Sequence, residues 1–526
     1  MKNRTLRLLG SLLLVALGVS VTGAAPAPRS TSPTPFDRVI PAPAHTTPGG
    51  NPYRITRGTH IRVDGSREAR RVGEYLAGLL RPSTGYRLPV TDRGAGGIRL
   101  RLHQGPFGAE GYRLDSGPGG VTITAAVPAG LFHGVQTLRQ LLPAAVEKDS
   151  VQPGPWLVAG GTLHDTPRYS WRGAMLDVSR HFFTVEQVKR YIDQLALYKI
   201  NKLHLHLSDD QGWRIAIDSW PRLATYGGST QVGGGPGGYY TKADYKEIVR
   251  YASSRYLEVV PEIDMPGHTN AALASYADLN CDGVAPPLYT GTAVGFSSLC
   301  AGKEITYDFV DDVIRELAAL TPGRHLHIGG DEAHSTSHED YVAFMERVQP
   351  IVARYGKTVV GWHQLTGATP AEGALAQYWG LDGTSAQEKE RVAAAARNGT
   401  GIILSPADRI YLDMKYTADT PLGLSWAGLV EVRRAYDWDP AAYLPGAPAS
   451  AIRGVEAPLW SETLTRSDEI EYMAFPRLPG VAELGWSPAS THDWDAYKVR
   501  LAAQAERWEA LGIDFYRSPQ VPWPTA

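Results

Sequence analysis

Two adjacent acidic residues, Asp331 and Glu332, follow a short apolar run and a pair of glycines. The stretch His327-Ile-Gly-Gly-Asp-Glu332 places both carboxyls at the carboxyl end of a predicted strand. Side chains alternate along extended backbone, so we expect the two carboxyls to point apart and to have different roles. Cleavage of a glycosidic bond requires two carboxyls with separate roles. The alternative is a solvated acidic pair that only caps the next helix.

A regular alternation of strands and helices begins near Tyr169 and predicts the scaffold that carries this pair. Thr184-Val-Glu-Gln187 and Thr241-Lys-Ala-Asp244 resemble capping boxes at the start of two of the helices. Eight strands with intervening helices predict an α/β fold, a (β/α)8 TIM barrel over residues 167–526. The predicted strands are Gly173–Val178, Lys202–Leu207, Leu257–Ile263, His325–Ile328, Thr358–Gly361, Leu375–Tyr378, Gly401–Leu404 and Val455–Leu459.

The segment before the barrel, residues 44–166, has a different pattern and predicts a small α+β domain. Ile61–Val63 and Ile98–Leu102 alternate like strands, and Arg67–Leu80 is amphipathic like a helix. The stretches around Tyr112 and Val121 are separated by glycines and predict a hairpin. A second helix is predicted over Leu131–Leu142.

The active site of such a barrel forms at the carboxyl ends of its strands, where this chain has charged or large aromatic residues. An aromatic wall with carboxylates and an arginine suits a sugar, because rings pack on C–H faces and charged groups hydrogen-bond paired hydroxyls. These residues, in strand order, are Arg180, Asp209, Asp264, His268, Asp331, Glu332, Trp362, Trp379, Tyr411, Asp413, Trp460 and Glu462.

Composition and charge exclude some function classes. The 526 residues carry 52 Lys and Arg against 54 Asp and Glu, a net charge of −2. This balance offers no basic field for nucleic acid, so no nucleic-acid partner is expected. The length favours two folded domains.

The N-terminus has the pattern of a secretory signal peptide. Lys2, Arg4 and Arg7 precede the apolar run Leu8–Val21, and small residues follow at Gly23–Ala25. We expect a signal peptide over residues 1–25, a flexible Pro-rich lead-in over 26–43, and a secreted, extracellular protein with no membrane association after cleavage. The only cysteines, Cys281 and Cys300, are then expected to form a disulfide. The alternative is two free thiols.

Four stretches resemble the family 20 glycoside hydrolases, the exo-acting β-N-acetylhexosaminidases, and the bacterial secreted members look most similar. The resemblance covers almost the whole predicted mature chain. It is carried by Asp177-Val-Ser-Arg-His-Phe-Phe183, His204-Leu-His-Leu-Ser-Asp-Asp210, Glu262-Ile-Asp-Met-Pro-Gly-His268 and His327-Ile-Gly-Gly-Asp-Glu332.

The resemblance implies substrate-assisted hydrolysis of terminal β-linked N-acetylglucosamine or N-acetylgalactosamine, in which the 2-acetamido group attacks C1 and forms an oxazolinium ion. It implies that Glu332 is the general acid and base, and that Asp331 and Tyr411 hold the acetamido group. The remaining roles are a wall around the acetamido methyl (Trp362, Trp379, Trp460), hydroxyl binding (Arg180, Asp413, Glu462), pocket lining (Trp426), and support of Glu332 (Asp209, His268, with Asp264 nearby). No cofactor is implied, and the expected partner is an oligosaccharide such as chitobiose or a glycan terminus.

Two other interpretations stay open. His204 and His206 lie on one face of strand 2, and with His268, His325, His327 and Asp331 they could hold a metal in a barrel hydrolase. The second alternative is a sugar-binding protein without catalysis.

Overall fold

The computed structural model describes residues 32–64, 66–94 and 97–524. From Pro33 onward the chain forms one compact unit. The predicted signal peptide and residues 26–31 of the predicted lead-in lie outside the described residues.

The first part of the chain is a seven-stranded mixed sheet with two helices on one face. Its strand order is β1-β9-β6-β7-β5-β3-β4, and β2 pairs with β8 as a separate ribbon. The predicted hairpin is confirmed, since β6 and β7 pair antiparallel from Tyr112–Ala125 to Gly117–Gly120. The strands are β1 His45–Pro48, β2 Tyr53–Ile55, β3 Ile61–Val63, β4 Val90–Thr91, β5 Ile98–Leu102, β6 Tyr112–Gly117, β7 Gly120–Ala125, β8 Trp156–Val158 and β9 Gly161–Asp165.

The two helices are α1 Arg67–Thr84 and α2 Pro128–Leu141. Helix α2 is buried between the sheet and the barrel. A side chain at Gly134 would collide with Ile123 and Tyr112 of the sheet, so only glycine permits this close approach. On the other side of α2, the Phe132 ring lies 5.1 Å from that of Tyr256. Apolar residues of the sheet, α2 and the barrel helices therefore share one continuous core.

The second part of the chain is a closed eight-stranded parallel barrel, as predicted. Strand β10 pairs with both β11 and β19, which closes the barrel. Each predicted strand is present, with bounds that differ by at most three residues. The strands are β10 Trp171–Asp177, β11 Lys202–His206, β12 Ser208–Asp209, β13 Gly212–Trp213, β14 Glu258–Glu262, β15 His325–His327, β16 Thr358–Trp362, β17 Leu375–Tyr378, β18 Gly401–Leu404 and β19 Ile452–Leu459, of which β12 and β13 form a small separate ribbon.

Helices connect the barrel strands, and both predicted capping boxes are present. Thr184 and Gln187 cap α3, and Thr241 and Asp244 cap α5 through reciprocal backbone hydrogen bonds. The helices are α3 Val185–Leu197, α4 Arg222–Thr225, α5 Lys242–Ser254, α6 Asn270–Ser275, α7 Glu304–Leu320, α8 His338–Arg354, α9 Ala386–Arg397, α10 Ala407–Ile410, α11 Val432–Tyr436, α12 Ser467–Ala474, α13 Arg477–Trp486, α14 Trp494–Ala502 and α15 Ala505–Leu511. Among the described residues, no helix combines the length and the apolar character needed to cross a membrane.

The predicted flexible lead-in ends earlier than residue 43. Phe36, Val39 and Ile40 are buried in the core, and Phe36–Arg38 forms a 3-10 helix. The backbone N–H of Ile40 donates to Oε1 of Gln140, 3.0 Å away, and that of Ala42 donates to Oε2 of Glu483. The Pro-rich composition suggested a flexible segment, but three apolar side chains within it pack into the core. The lead-in prediction was therefore wrong for residues 36–43.

Cys281 and Cys300 form the predicted disulfide, which closes the loop between β14 and α7. We expect thiol titration of the denatured, unreduced protein to give close to zero free thiols per chain, because both cysteines are bonded. The same titration after reduction provides the control and should give two. Two reactive thiols before reduction would contradict the disulfide.

Candidate active site

The backbone around the acidic pair is left-handed, not extended. Strand β15 ends at His327, and Gly329, Gly330 and Glu332 follow with φ angles of 63°, 103° and 45°. A side chain at Gly329 would collide with the carboxylate of Asp264, so glycine is required here. The extended backbone on which the expected divergence of Asp331 and Glu332 rested is therefore absent, and both carboxylates approach Nε2 of His268, at 3.6 Å and 3.2 Å. A non-glycine residue at positive φ is strained. The left-handed backbone at Glu332 sets the direction in which its side chain leaves the chain.

A pocket of about 200 Å³ opens at the carboxyl ends of the barrel strands. Ten of the residues predicted from the sequence line it, together with Thr292, Val294 and Leu424, which were not predicted. The ten are Arg180, His268, Asp331, Glu332, Trp379, Tyr411, Asp413, Trp426, Trp460 and Glu462.

Aromatic rings form one wall of this pocket. The Trp426 ring packs edge-on against Trp379 at 6.0 Å and Tyr411 at 5.9 Å, and Tyr411 lies 6.2 Å from Trp460. Trp362 was predicted in the same wall but lies beneath it, fully buried and 5.8 Å from the Trp460 ring. Its indole N–H donates to Oε1 of Glu262 at 2.9 Å, which fixes the ring. The wall therefore rests on a packed aromatic support.

The far end of the pocket is closed by charged side chains. Nη1 of Arg180 lies 3.0 Å from Oδ2 of Asp209, and its guanidinium stacks 4.8 Å above the Trp460 ring. Oδ2 of Asp413 and Oε2 of Glu462 are buried and have no hydrogen-bond partner among the described residues. Burial and the charge of Glu462 raise the pKa of Asp413 well above its usual range, and burial raises the pKa of Glu462. A ligand with adjacent hydroxyls would satisfy these oxygens.

The two catalytic candidates differ in depth. The Asp331 side chain is 10% exposed, whereas that of Glu332 is 28% exposed at the pocket mouth. Burial, aided by the charges of Glu332 and Glu262, raises the pKa of Asp331 to about 6. Asp264 is buried beside it, and burial together with the charge of Asp331 raises the pKa of Asp264 well above its usual range. Asp264 is thus a neighbour of Asp331 beneath the pocket and does not line it.

His268 links the pair to Asp209. Its Nε2 lies 3.2 Å from Oε2 of Glu332 and 3.6 Å from Oδ2 of Asp331, while its Nδ1 lies 3.2 Å from Oδ1 of Asp209. Burial acts to lower the pKa of His268, but the carboxylates of Asp209 and Asp331 outweigh it and hold the pKa well above 6.5. An imidazolium therefore faces Glu332. Asp209 contacts the site through His268 and does not itself line the pocket.

An alternating series of imidazoles and carboxylates continues from Asp209 into the barrel. Nε2 of His206 lies 2.6 Å from Oδ2 of Asp209, and its Nδ1 lies 2.5 Å from Oε2 of Glu262. His204 lies 2.9 Å from Glu262 through Nε2 and 2.7 Å from Glu456 through Nδ1. Burial acts to raise the pKa of Glu262, but the three histidines around it, His206, His327 and His204, hold it well below its usual range. The interior of the barrel is therefore a fixed array of opposite charges.

This array bears on the metal interpretation. Several groups in the described barrel have ligand atoms close enough together for a metal, including His204, Glu262 and His327. Both ring nitrogens of His204 and both of His206 are already hydrogen-bonded to carboxylates. Neither ring has a free lone pair for a metal, so the surroundings of His204 and His206 favour a charge array over a metal centre built on this pair.

Sequence reasoning missed two kinds of residue. Glu456 is an acid in the middle of an apolar strand, and that burial was a usable signal for an internal partner such as His204. Thr292 and Val294 belong to the disulfide-closed loop, whose path the sequence pattern does not specify. Ser297 of the same loop donates to Oδ1 of Asp210 at 2.5 Å, which anchors the loop beside the site.

Comparison with known proteins shows which family this chain belongs to. Residues 169–489 match glycosyl hydrolase family 20, catalytic domain, and residues 37–166 match glycosyl hydrolase family 20, domain 2. A β-N-acetylhexosaminidase of Cellulomonas fimi is 44% identical over 492 residues, which cover 92% of this chain and 97% of the relative.

Solved structures give the same result. The family 20 β-N-acetylhexosaminidase of Streptomyces coelicolor is 82% identical, with a TM-score of 0.93, and the match covers 94% of this chain and all of that one. The N-acetyl-β-hexosaminidase of Streptomyces plicatus, solved with Thio-NAglucal, is 83% identical with a TM-score of 0.94, and the match covers 94% of this chain and 99% of that one.

Proposed function

The chain belongs to glycosyl hydrolase family 20, and we propose that it is an exo-acting, retaining β-N-acetylhexosaminidase that works by substrate-assisted hydrolysis. It would remove terminal β-linked N-acetylglucosamine or N-acetylgalactosamine from oligosaccharides such as chitin fragments or glycan termini. The observation that carries the proposal is the pocket itself, in which a partly exposed carboxyl at the mouth, Glu332, stands beside a buried one, Asp331, and aromatic walls lead to a charged, closed end.

The depth of the two carboxyls supports different roles for them. Glu332 at the mouth can reach the oxygen of the leaving group, so it would protonate that oxygen and then take a proton from water. Asp331 is enclosed and would accept a hydrogen bond from the acetamido N–H, while Tyr411 would donate one to the acetamido oxygen. The imidazolium of His268 lies 3.2 Å from Glu332 and would stabilise the carboxylate that forms when Glu332 gives up its proton.

The aromatic wall would hold the acetamido methyl against Trp379 and Trp460, with Trp362 supporting them from beneath. Held in this way, the acetamido oxygen is a neighbouring nucleophile of high effective concentration, because its attack on C1 is intramolecular. The resulting oxazolinium ion is cationic, and an ionised Asp331 would balance its charge. Water then opens the ion from the face that the leaving group vacated, so the product keeps the β configuration.

The closed end of the pocket supports exo action. Arg180 would bind the 3- and 4-hydroxyls of the terminal sugar, with Glu462 at the 4-hydroxyl and Asp413 at the 4- and 6-hydroxyl side. A chain that continued beyond this sugar would meet buried charges. A terminal sugar alone satisfies those groups.

Export is part of the proposal. The basic and apolar pattern of residues 1–25 is typical of a secretory signal peptide, and a structural disulfide suits an oxidising environment. We therefore propose that the mature enzyme acts outside the cell.

The direct test is turnover of an aryl β-N-acetylglucosaminide. We expect hydrolysis with a β-configured first product by NMR, and an unchanged rate after exhaustive dialysis against EDTA, because the substrate supplies the nucleophile and Glu332 the proton. The matched aryl β-N-acetylgalactosaminide measures tolerance of the 4-epimer. Activity lost with EDTA and restored by zinc would support the metal interpretation instead, and absence of turnover would support a sugar-binding protein.

The pH dependence offers a second test, because Asp331 must be ionised to balance the oxazolinium charge. Burial raises its pKa to about 6, so kcat/KM should fall as the pH drops below about 6. The negative charge of Glu262 contributes to this raised pKa. Glu262→Gln should therefore lower the pKa of Asp331 and move the acid limb of the profile to lower pH.

Glu258→Gln is the matched control for this shift. Glu258 begins the same strand, and its carboxylate pairs with Lys202 and His325 at the amino-terminal end of the barrel, away from the pocket. The acid limb of the kcat/KM profile of the Glu258→Gln variant should coincide with that of the wild type. An unmoved limb in Glu262→Gln, or an equal shift in both variants, would contradict the assigned electrostatic role.

A further inference from the structure

The face of the N-terminal sheet opposite its helices carries a continuous polar row. Cross-strand pairing aligns Thr162 of β9 with Asp115 of β6, Thr122 of β7, Arg99 of β5 and Arg62 of β3. These five residues stand on five neighbouring strands, so the row is about 20 Å long at the usual strand spacing of about 4.8 Å. The same residues line a cavity of about 630 Å³.

A second polar row runs parallel to the first, displaced from it by two residues on each strand. It consists of His164, Arg113, Thr124 and Arg101, which pair in that order across β9, β6, β7 and β5. Since side chains two residues apart share a face, both rows lie on the same side of the sheet. Four arginines therefore occupy one face.

This face is open because the helices cover the other one. Glycines of α1 and α2 pack directly on Ile61, Val63 and Ile123, the alternate residues of the same strands. The glycine-rich turn Gly117–Gly120 forms part of the cavity rim without large side chains. The arginines thus remain accessible, with side-chain exposures of 34% for Arg62 and 37% for Arg99.

Charge is distributed unevenly between the two parts of the chain. Residues 37–166 contain 15 Arg and Lys against 10 Asp and Glu, a net charge of +5, although the whole chain has a net charge of −2. On the open face, Asp115 pairs with Arg113, and Asp64 lies near both Arg99 and Arg62. Arg101 has no ion pair within the part of the chain that the structure describes. The two acids therefore leave an excess of positive charge on this face.

The chemistry of the two rows selects a class of ligand. Arginine forks match carboxylates, and threonine hydroxyls can exchange hydrogen bonds with sugar hydroxyls. Neither row contains Phe, Tyr or Trp, and the only ring in the two rows is that of His164 at one end of the second, so the face offers no extended platform for stacking nucleic-acid bases or the flat faces of neutral sugars. A linear polysaccharide with regularly spaced carboxylates fits both features.

We propose that the open face of the N-terminal sheet is a binding site for an acidic polysaccharide, centred on Arg62, Arg99 and Arg101. The choice of a glycan rests on the proposed function of the barrel, and the choice of an acidic one rests on the arginines. The site would hold the enzyme on an anionic matrix while the barrel trims neutral chain ends. It requires no change in the catalytic pocket.

The test is retention of the full-length mature protein on immobilised polygalacturonate, a polymer of carboxylated sugars without acetamido groups. We expect binding at low ionic strength that weakens with added salt. The triple variant Arg62→Gln, Arg99→Gln, Arg101→Gln should bind at least about tenfold more weakly, since three charge-assisted contacts are lost. Its turnover of an aryl N-acetylglucosaminide should equal that of the wild type, which also verifies that the variant is folded.

A charge-matched variant separates the face from net charge. Arg67→Gln, Arg71→Gln, Arg87→Gln removes the same charge from the same domain at exposed positions outside the two rows, and it should bind like the wild type. Equal weakening in both variants, or no binding by the wild type, would overturn the proposal. Equal or tighter retention on neutral colloidal chitin or on single-stranded DNA would overturn it as well. Failure of aryl turnover would instead count against the proposed function of the barrel, so the two failures are distinguishable.

Discussion

Plain β-glucosides should be cleaved on the order of 10⁵-fold more slowly than the corresponding β-N-acetylglucosaminides, although they differ in one substituent. The size of this effect follows from the effective molarity of a well-oriented intramolecular nucleophile, about 10⁵ to 10⁸ M. Without the acetamido group the pocket would supply no replacement nucleophile, because in the proposed mechanism Asp331 binds that group. The measurement is kcat/KM for the two aryl glycosides with the same leaving group.

Two further measurements separate loss of the nucleophile from loss of binding. Successive fluorination of the acetyl methyl should lower kcat steeply, since fluorine withdraws charge from the attacking oxygen while changing the size of the group little. Asp331→Asn should slow the same step, because a neutral amide cannot balance the oxazolinium charge. A glycosyl ester trapped on a carboxylate, or a rate indifferent to fluorination, would defeat the substrate-assisted mechanism.

Glu332→Gln should lower kcat about 10²- to 10⁴-fold on substrates with poor leaving groups, the usual contribution of a general acid. The loss should be much smaller for a dinitrophenyl glycoside, whose leaving group departs without a proton. The measurement is a leaving-group series for both enzymes, in which the variant should show the steeper dependence on leaving-group acidity.

Glu339→Gln provides a control for this series. Glu339 is exposed in the first turn of α8, seven residues along the chain from Glu332, and does not line the pocket. Its leaving-group dependence should match the wild type. Equal losses for good and poor leaving groups in Glu332→Gln would show that Glu332 is not the acid.

The barrel could be predicted from the sequence because its strands are apolar runs of the right length between amphipathic helices. Leu375–Tyr378 and Gly401–Leu404 have the predicted bounds in the structure. Strand β1, His45–Pro48, could not be predicted, because all four residues are exposed and only pairing with β9 makes it a strand. Its conformation depends on a partner more than a hundred residues away in sequence.

The candidate site followed the same division. Residues within a few positions of a strand end, such as Arg180 and Glu462, were predictable because the barrel topology assigns them to one rim. The depth of each residue below the pocket surface was not predictable. Trp362 and Trp379 both follow a predicted strand in the sequence, but only Trp379 lines the pocket. The placement of Asp331 and Glu332 depends on left-handed backbone at Gly329, Gly330 and Glu332, which a strand pattern does not reveal.

The closed end formed by Arg180, Asp413 and Glu462 also governs the kinetics of polymer breakdown. A pocket that admits one terminal sugar must release the shortened chain and bind it again after each cleavage. The initial velocity should then depend on the molar concentration of non-reducing ends and not on the mass of polymer. Long chains would be poor substrates by weight, and an endo-acting partner that creates new ends would raise the output of this enzyme without any contact between the two.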